Sequence, residues 1–185
     1  MFRALMTQMI KAMEKATGVE APFAYHLRDV APARLWRFAF IKMVEGRRQV
    51  TPPAVYHAAG LASAMVEDCG PCVQIHVNFA LKDGVAPDIL RALIARRLES
   101  VPPEVATAFK FGDAVSAGAS AEEWRDEIRK RWGDKGVAEL AFTVAVARFY
   151  PAVKRGLGYA HACERVVVAN ETTQAVKSGA VRAAA

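Results

Sequence analysis

The sequence predicts an all-α protein, a single domain built as a helical bundle. Three observations carry this. Alanine and leucine are abundant, while strand-like alternation of apolar and polar residues is nearly absent. In the first segment, Phe2, Leu5, Met6, Met9, Ile10 and Met13 recur at helical spacing. Prolines and glycines fall at opposite ends of successive apolar segments, the order that opens and closes helices. The chain has 185 residues, 53% of them hydrophobic, which suits one domain with a substantial core.

The first helix is the amphipathic N-terminal stretch, read as a packing or subunit-contact helix because its methionines give an adaptable apolar face. Residues around Pro22 to Pro32 read as a connection, in which Tyr25 and His26 carry no signal. PARLWRFAFIKMVEG (32–46) opens on proline and closes on glycine, a punctuated helix. Thr51 is the expected N-cap of the next helix, with Pro52 in its first turn. That helix is expected to end near Asp68, because Pro71 is tolerated in a first turn and not in a helix interior. A new helix then runs from near Gly70 to Gly84.

Helices over 87–100 and 102–118 follow. Ser120 and Glu123 have capping-box spacing ahead of a helix over 120–133. Residues 134–158 are apolar over a wide arc, so the centre of that helix is expected to be buried, with Pro151 kinking or ending it. HACERVVV (161–168) is the one β-branched run and is too short to change the fold class. The domain is taken as 1–169, and residues 170–185 as a flexible tail. Trp36, Phe38, Phe40, Trp124 and Trp132 are expected in the core or an interface, and His161 and Cys163 in packing roles.

The formal net charge is +6. The densest basic group, Arg125, Arg129, Lys130 and Arg131, is interleaved with Glu122, Glu123, Asp126 and Glu127. That mixture describes a solvated, ion-paired helix face rather than the segregated basic stripe of a nucleic-acid binder. No segment approaches the ~18 uncharged apolar residues of a membrane span. The expectation is a cytoplasmic protein with neither membrane nor nucleic acid as partner. With three cysteines, the chain is no secreted disulfide scaffold.

The chemistry concentrates in EDCGPCVQIH (67–76). Cys72 falls in the first turn of its helix and Cys69 just before it, where backbone N–H groups and the helix dipole stabilise a thiolate. His76 follows Cys72 by one turn on the same face, able to exchange a proton with it. His57 lies on the preceding helix and meets the same pocket if the two helices fold as a tight hairpin. Three readings stay open: a redox dithiol, a zinc or iron site using Cys69, Cys72, His76 and His57, and two packed thiols without chemistry. The C-G-P-C tetrapeptide equals that of thioredoxin, but the preceding AAGLASAMVED is a helix former where thioredoxin needs a strand.

A helix, then C-x-x-C opening a second helix, then His and a short run to Gly84-Val85, resembles the alkyl hydroperoxidase D-like / carboxymuconolactone decarboxylase superfamily. The specific match covers 52–88. The resemblance implies an all-helical homo-oligomer with its C-x-x-C at the turn of a helical hairpin. It implies a thiol peroxidase needing no cofactor or metal. Its partners would be a small-molecule peroxide and a dithiol reductant or its carrier protein. Cys72 then resembles the peroxidatic thiol, Cys69 the resolving thiol and His76 the relay histidine. Two departures stand out: His57 occupies the position of the family's glutamate, and Pro71 replaces a residue that is often bulkier. The alternatives are a decarboxylase-like lyase on a small carboxylate and a non-catalytic metal- or small-molecule-binding helical protein.

Overall fold

The computed structural model describes residues 2–161 and 165–176. It is all-α apart from one small hairpin. The helices are α1 (Phe2–Thr17), α2 (Pro22–Val30), α3 (Pro32–Glu45), α4 (Pro53–Val66), α5 (Gly70–Lys82), α6 (Pro87–Ile94), α7 (Pro103–Ser116) and α8 (Glu122–Gly156). A 3-10 turn, Leu98–Ser100, and strands β1 (Arg165–Val168) and β2 (Glu171–Gln174) complete it.

Helix α4 is the axis of the bundle. Every residue from Val55 to Met65 is buried, because this helix is apolar on all sides. Helices α5, α7 and α8 surround it. At Gly112 of α7 the two backbones nearly touch: a Cβ there would lie 2.3 Å from the Ala59 carbonyl oxygen. The polar groups inside are matched, with the Ser116 hydroxyl donating to Ser63 Oγ at 2.8 Å and Ser63 Oγ to the Val144 carbonyl at 3.1 Å. A second apolar cluster, with Met6, Ile10, Phe23, Leu35 and Phe38, joins α1, α2 and α3 to Phe149 and Tyr150 of α8.

The predicted elements need correction in five places. Residues 22–32 are not a connection: α2 occupies Pro22–Val30, opened by Pro22, while Pro32 opens α3 as expected. Thr51 is not an N-cap. Its hydroxyl and amide are taken by Glu139, Pro52 caps α4 and Pro53 opens it. The Ser120 capping box does not form, since Ala121 is the N-cap of α8. Helix α6 stops at Ile94, with Arg96 at φ 55° turning the chain into the 3-10 segment. The boundary between domain and tail falls inside the hairpin turn: Val168 pairs with Glu171 around Ala169 and Asn170, both at positive φ.

Helix α8 is broken at Gly133 (φ 66°, ψ −171°), where the sequence divides two helices, and then continues through Pro151 to Gly156. Among the described residues it is the one helix long and apolar enough to cross a membrane by length and composition. It buries Leu140, Val144 and Ala147 against the core and carries Arg148, Lys154 and Arg155 in its last turns. Phe38 is buried, Trp36 stacks on Phe40 at 5.5 Å, and Phe40 is exposed, as are Met43, Val44 and Phe142. Cys163 lies outside the described residues.

Candidate dithiol site

Asp68 adopts φ 48° between α4 and α5, a tight reversal that lays the two helices side by side. Cys69 is the N-cap of α5, and its carbonyl accepts from the Cys72 and Val73 amides at 2.9 and 3.0 Å. The Gly70 amide is not free to face a thiolate; it donates to the His161 carbonyl at 3.0 Å. Both cysteines are buried, and no disulfide joins them.

Electrostatic support comes from far along the chain. The end of α4 is clamped to α8 by Glu67, which meets Arg148 at 3.1 Å and Arg155 at 3.0 Å. That clamp brings Lys154, only 4% exposed, to 3.5 Å from Cys72 Sγ, with its ammonium 4.9 Å from the centre of the Phe23 ring. Among the described residues no carboxylate pairs with it, and a buried ammonium is costly unless an anion forms nearby. The Cys69 thiol is drawn down to about 7, first by the hydrogen bond from Cys72, then by Lys154 against the cost of burial. Cys72 moves the opposite way, because it donates that bond and is buried. The pair therefore sheds one proton near neutrality and keeps the other. Lys154 sits against Cys72, so the sulfur that bears the charge is set by which thiol the shared proton occupies.

Access separates the two sulfurs. A cavity of about 520 Å³ lies between the two apolar clusters, and Cys72 lines it while Cys69 does not. Helices α1 to α5 and α8 all contribute walls. His57 and His76 line the same cavity. His57 Nε2 is 2.8 Å from Asp83 Oδ2, and burial lowers its pKa despite that carboxylate. His76 is embedded against α4: a Cβ at Gly60 would lie 2.9 Å from its Cε1 and 3.1 Å from its Nδ1. Burial, reinforced by Lys42 and His57, lowers its pKa to about 3, so the ring is neutral at physiological pH.

The sequence-predicted residues thus split. Cys72, His76 and His57 share one cavity, with Cys69 directly behind Cys72. They do not form a metal cage: among the described residues no three histidine, cysteine, aspartate or glutamate side chains converge. Sequence reasoning missed Lys154, Asp83 and a carboxylate network on the cavity wall. In that network Glu45, its side chain 3% exposed, accepts from Thr143 Oγ1 at 2.5 Å and from the Tyr56 hydroxyl, and meets Lys42. Desolvation and Glu45 push the Tyr56 phenol well up, so it stays a donor. The one legible signal was Lys154 itself, a charge inside an otherwise apolar helical arc. No family model, curated protein or solved structure matches the chain.

Proposed function

We propose that this protein is a thiol-dependent peroxidase of the alkyl hydroperoxidase D-like type, with Cys72 as the attacking thiol. One observation carries the reading. Cys72 is the cysteine of the pair that lines the cavity, and a buried Lys154 ammonium stands 3.5 Å from its Sγ. In the proposed reaction the shared proton passes from Cys72 to Cys69, and the Cys72 thiolate beside Lys154 attacks the outer oxygen of a peroxide. An S–O bond forms, the O–O bond breaks, and the sulfur becomes a sulfenic acid. The leaving alkoxide takes a proton from the cavity. Cys69 then displaces water from the sulfenic acid, giving a disulfide, and an external dithiol resets the pair by exchange.

Neutral His76 is suited to pass a proton between its two ring nitrogens without holding it, and Glu45 with Thr143 offers a proton station beside it at Gly60. The decarboxylase-like and metal-binding readings have no comparable observation behind them, since they give the Lys154–Cys72 contact no role.

The test is intact mass after alkylation, before and after a stoichiometric peroxide pulse. Wild type is expected to lose two alkylatable thiols, Cys72→Ser to be inert, and Cys69→Ser to trap a sulfenic acid. Full alkylation of wild type after peroxide sinks the reading.

A further inference from the structure

The cavity is far larger than hydrogen peroxide requires. A water occupies about 30 Å³ of liquid, against a cavity of about 520 Å³, a volume typical of sites for whole organic ligands. It also has two ends, distinguished by burial. Its buried end holds Cys72, Lys154, Phe23 and Val146. Its exposed rim holds Lys42, Arg47, Arg48, Glu20 and Asp83.

The rim charges are not equivalent. Lys42 is engaged by Glu45, and Asp83 by His57. Arg48 donates to the Thr51 carbonyl at 2.8 Å and forms no ion pair among the described residues. Arg47, its neighbour, forms no ion pair among the described residues. Two adjacent guanidiniums therefore face the rim, opposed by the single uncommitted carboxylate of Glu20 on the α1–α2 connection. A guanidinium pair at the mouth of an apolar channel suits a carboxylate on an apolar chain.

We propose that the cavity takes an apolar organic acid, its chain running inward toward Cys72 and its carboxylate held at the rim by Arg47 and Arg48. The inference deepens the peroxidase reading and rests on it for the reacting group alone: the substrate would be the hydroperoxide of such an acid. The Cys72 thiolate would take its outer oxygen, and the chain would leave as the hydroxy acid once its alkoxide is protonated.

Calorimetry on the reduced protein tests the ligand class without turnover, with decanoate and decanol as probes. Decanoate is expected to bind at least about tenfold more tightly than decanol, a difference of about 1.4 kcal/mol. Arg47→Ala/Arg48→Ala, both exposed, is expected to erase the preference. Met13→Trp, on the cavity wall, is expected to block both probes. Equal binding of the two probes, absence of binding, or a preference that survives loss of both arginines overturns the proposal. A paired measurement follows thiol oxidation by a fatty-acid hydroperoxide and by its methyl ester, with the acid expected to react faster. If neither oxidises the thiols while decanoate binds as described, the ligand class stands and the peroxidase reading falls.

Discussion

Removing the ammonium at position 154 should raise the pH at which the dithiol becomes reactive. At 3.5 Å, a unit charge pair in an effective dielectric of ~20 interacts by about 5 kcal/mol. The negative charge is shared between Cys72 and Cys69, and water entering the space left by the lysine restores part of the solvation. Halving the interaction for those two effects leaves about 2.5 kcal/mol, or about 2 pKa units. In Lys154→Met, which keeps the buried stem and removes the charge, the transition now at about 7 should move to about 9, the ordinary range of a free thiol.

The assay is the rate of iodoacetamide alkylation against pH, read by intact mass in a Cys163→Ser background so that two thiols report. Lys154→Arg keeps the charge on a longer, planar head and should recover part of the shift. An unchanged midpoint in Lys154→Met, with a melting temperature showing the fold intact, would refute the reasoning. The thiol would then be poised by the Cys72–Cys69 hydrogen bond and the α5 terminus alone.

Three further outcomes follow from the site. Gly60→Ala would place a methyl group 2.9 Å from the His76 ring. On the peroxidase reading it should slow peroxide reduction by at least about tenfold while leaving the alkylation midpoint unmoved; a normal rate would show that His76 takes no part. Acid should destabilise the protein through the two cavity histidines. His76 has a folded pKa of about 3 against an ordinary 6.5, so between those values the unfolded chain binds the extra proton. Stability is therefore full above pH 6.5 and falls on acidification by about 1.4 kcal/mol per pH unit through His76. His57, lowered in the same direction, adds to it. Melting temperature between pH 6.5 and 4.5 should fall less in His76→Gln, and an identical slope would dismiss this linkage. Glu45→Gln keeps an acceptor for Thr143 and removes the charge. It should slow thiol oxidation by roughly tenfold without shifting the alkylation midpoint, and a shifted midpoint would assign Glu45 to thiol electrostatics instead.

What the sequence disclosed was local. Cys69, Cys72, His76 and His57 lie on one helical hairpin, so one-turn spacing and a proline in a first turn suffice to bring them to one place. The charges that poise them come from elsewhere. Lys154 is 82 residues from Cys72, and Thr143 is 98 residues from Glu45, separations over which only tertiary packing decides who meets. The misread elements have the same cause in smaller form. Pro22 looks like part of a connection until it is seen to open α2. Thr51 looks like a cap until Glu139 of α8 claims its hydroxyl. The tail looks uncommitted until Glu171–Gln174 pair with β1, which Gln74 ties to the dithiol helix by two hydrogen bonds of 2.8 Å to the Val167 backbone.

The histidine at position 57 bears on where a proton can rest in this cavity. A carboxylate on α4 would have been both acceptor and counter-charge. His57 is an acceptor without the negative charge, and its Nε2 is already committed to Asp83 at the rim. The buried carboxylate that the cavity does possess arrives from α3, where Glu45 is held by Tyr56 and Thr143. Thr143 Oγ1 and the His76 ring both approach the bare Cα of Gly60, at 3.5 and 2.9 Å from where its Cβ would stand. A glycine there lets a carboxylate–hydroxyl pair from α3 and α8 and an imidazole from α5 crowd against one turn of α4. On the peroxidase reading, the proton path runs across that turn rather than along α4. It would tolerate loss of His57 better than loss of the space at Gly60.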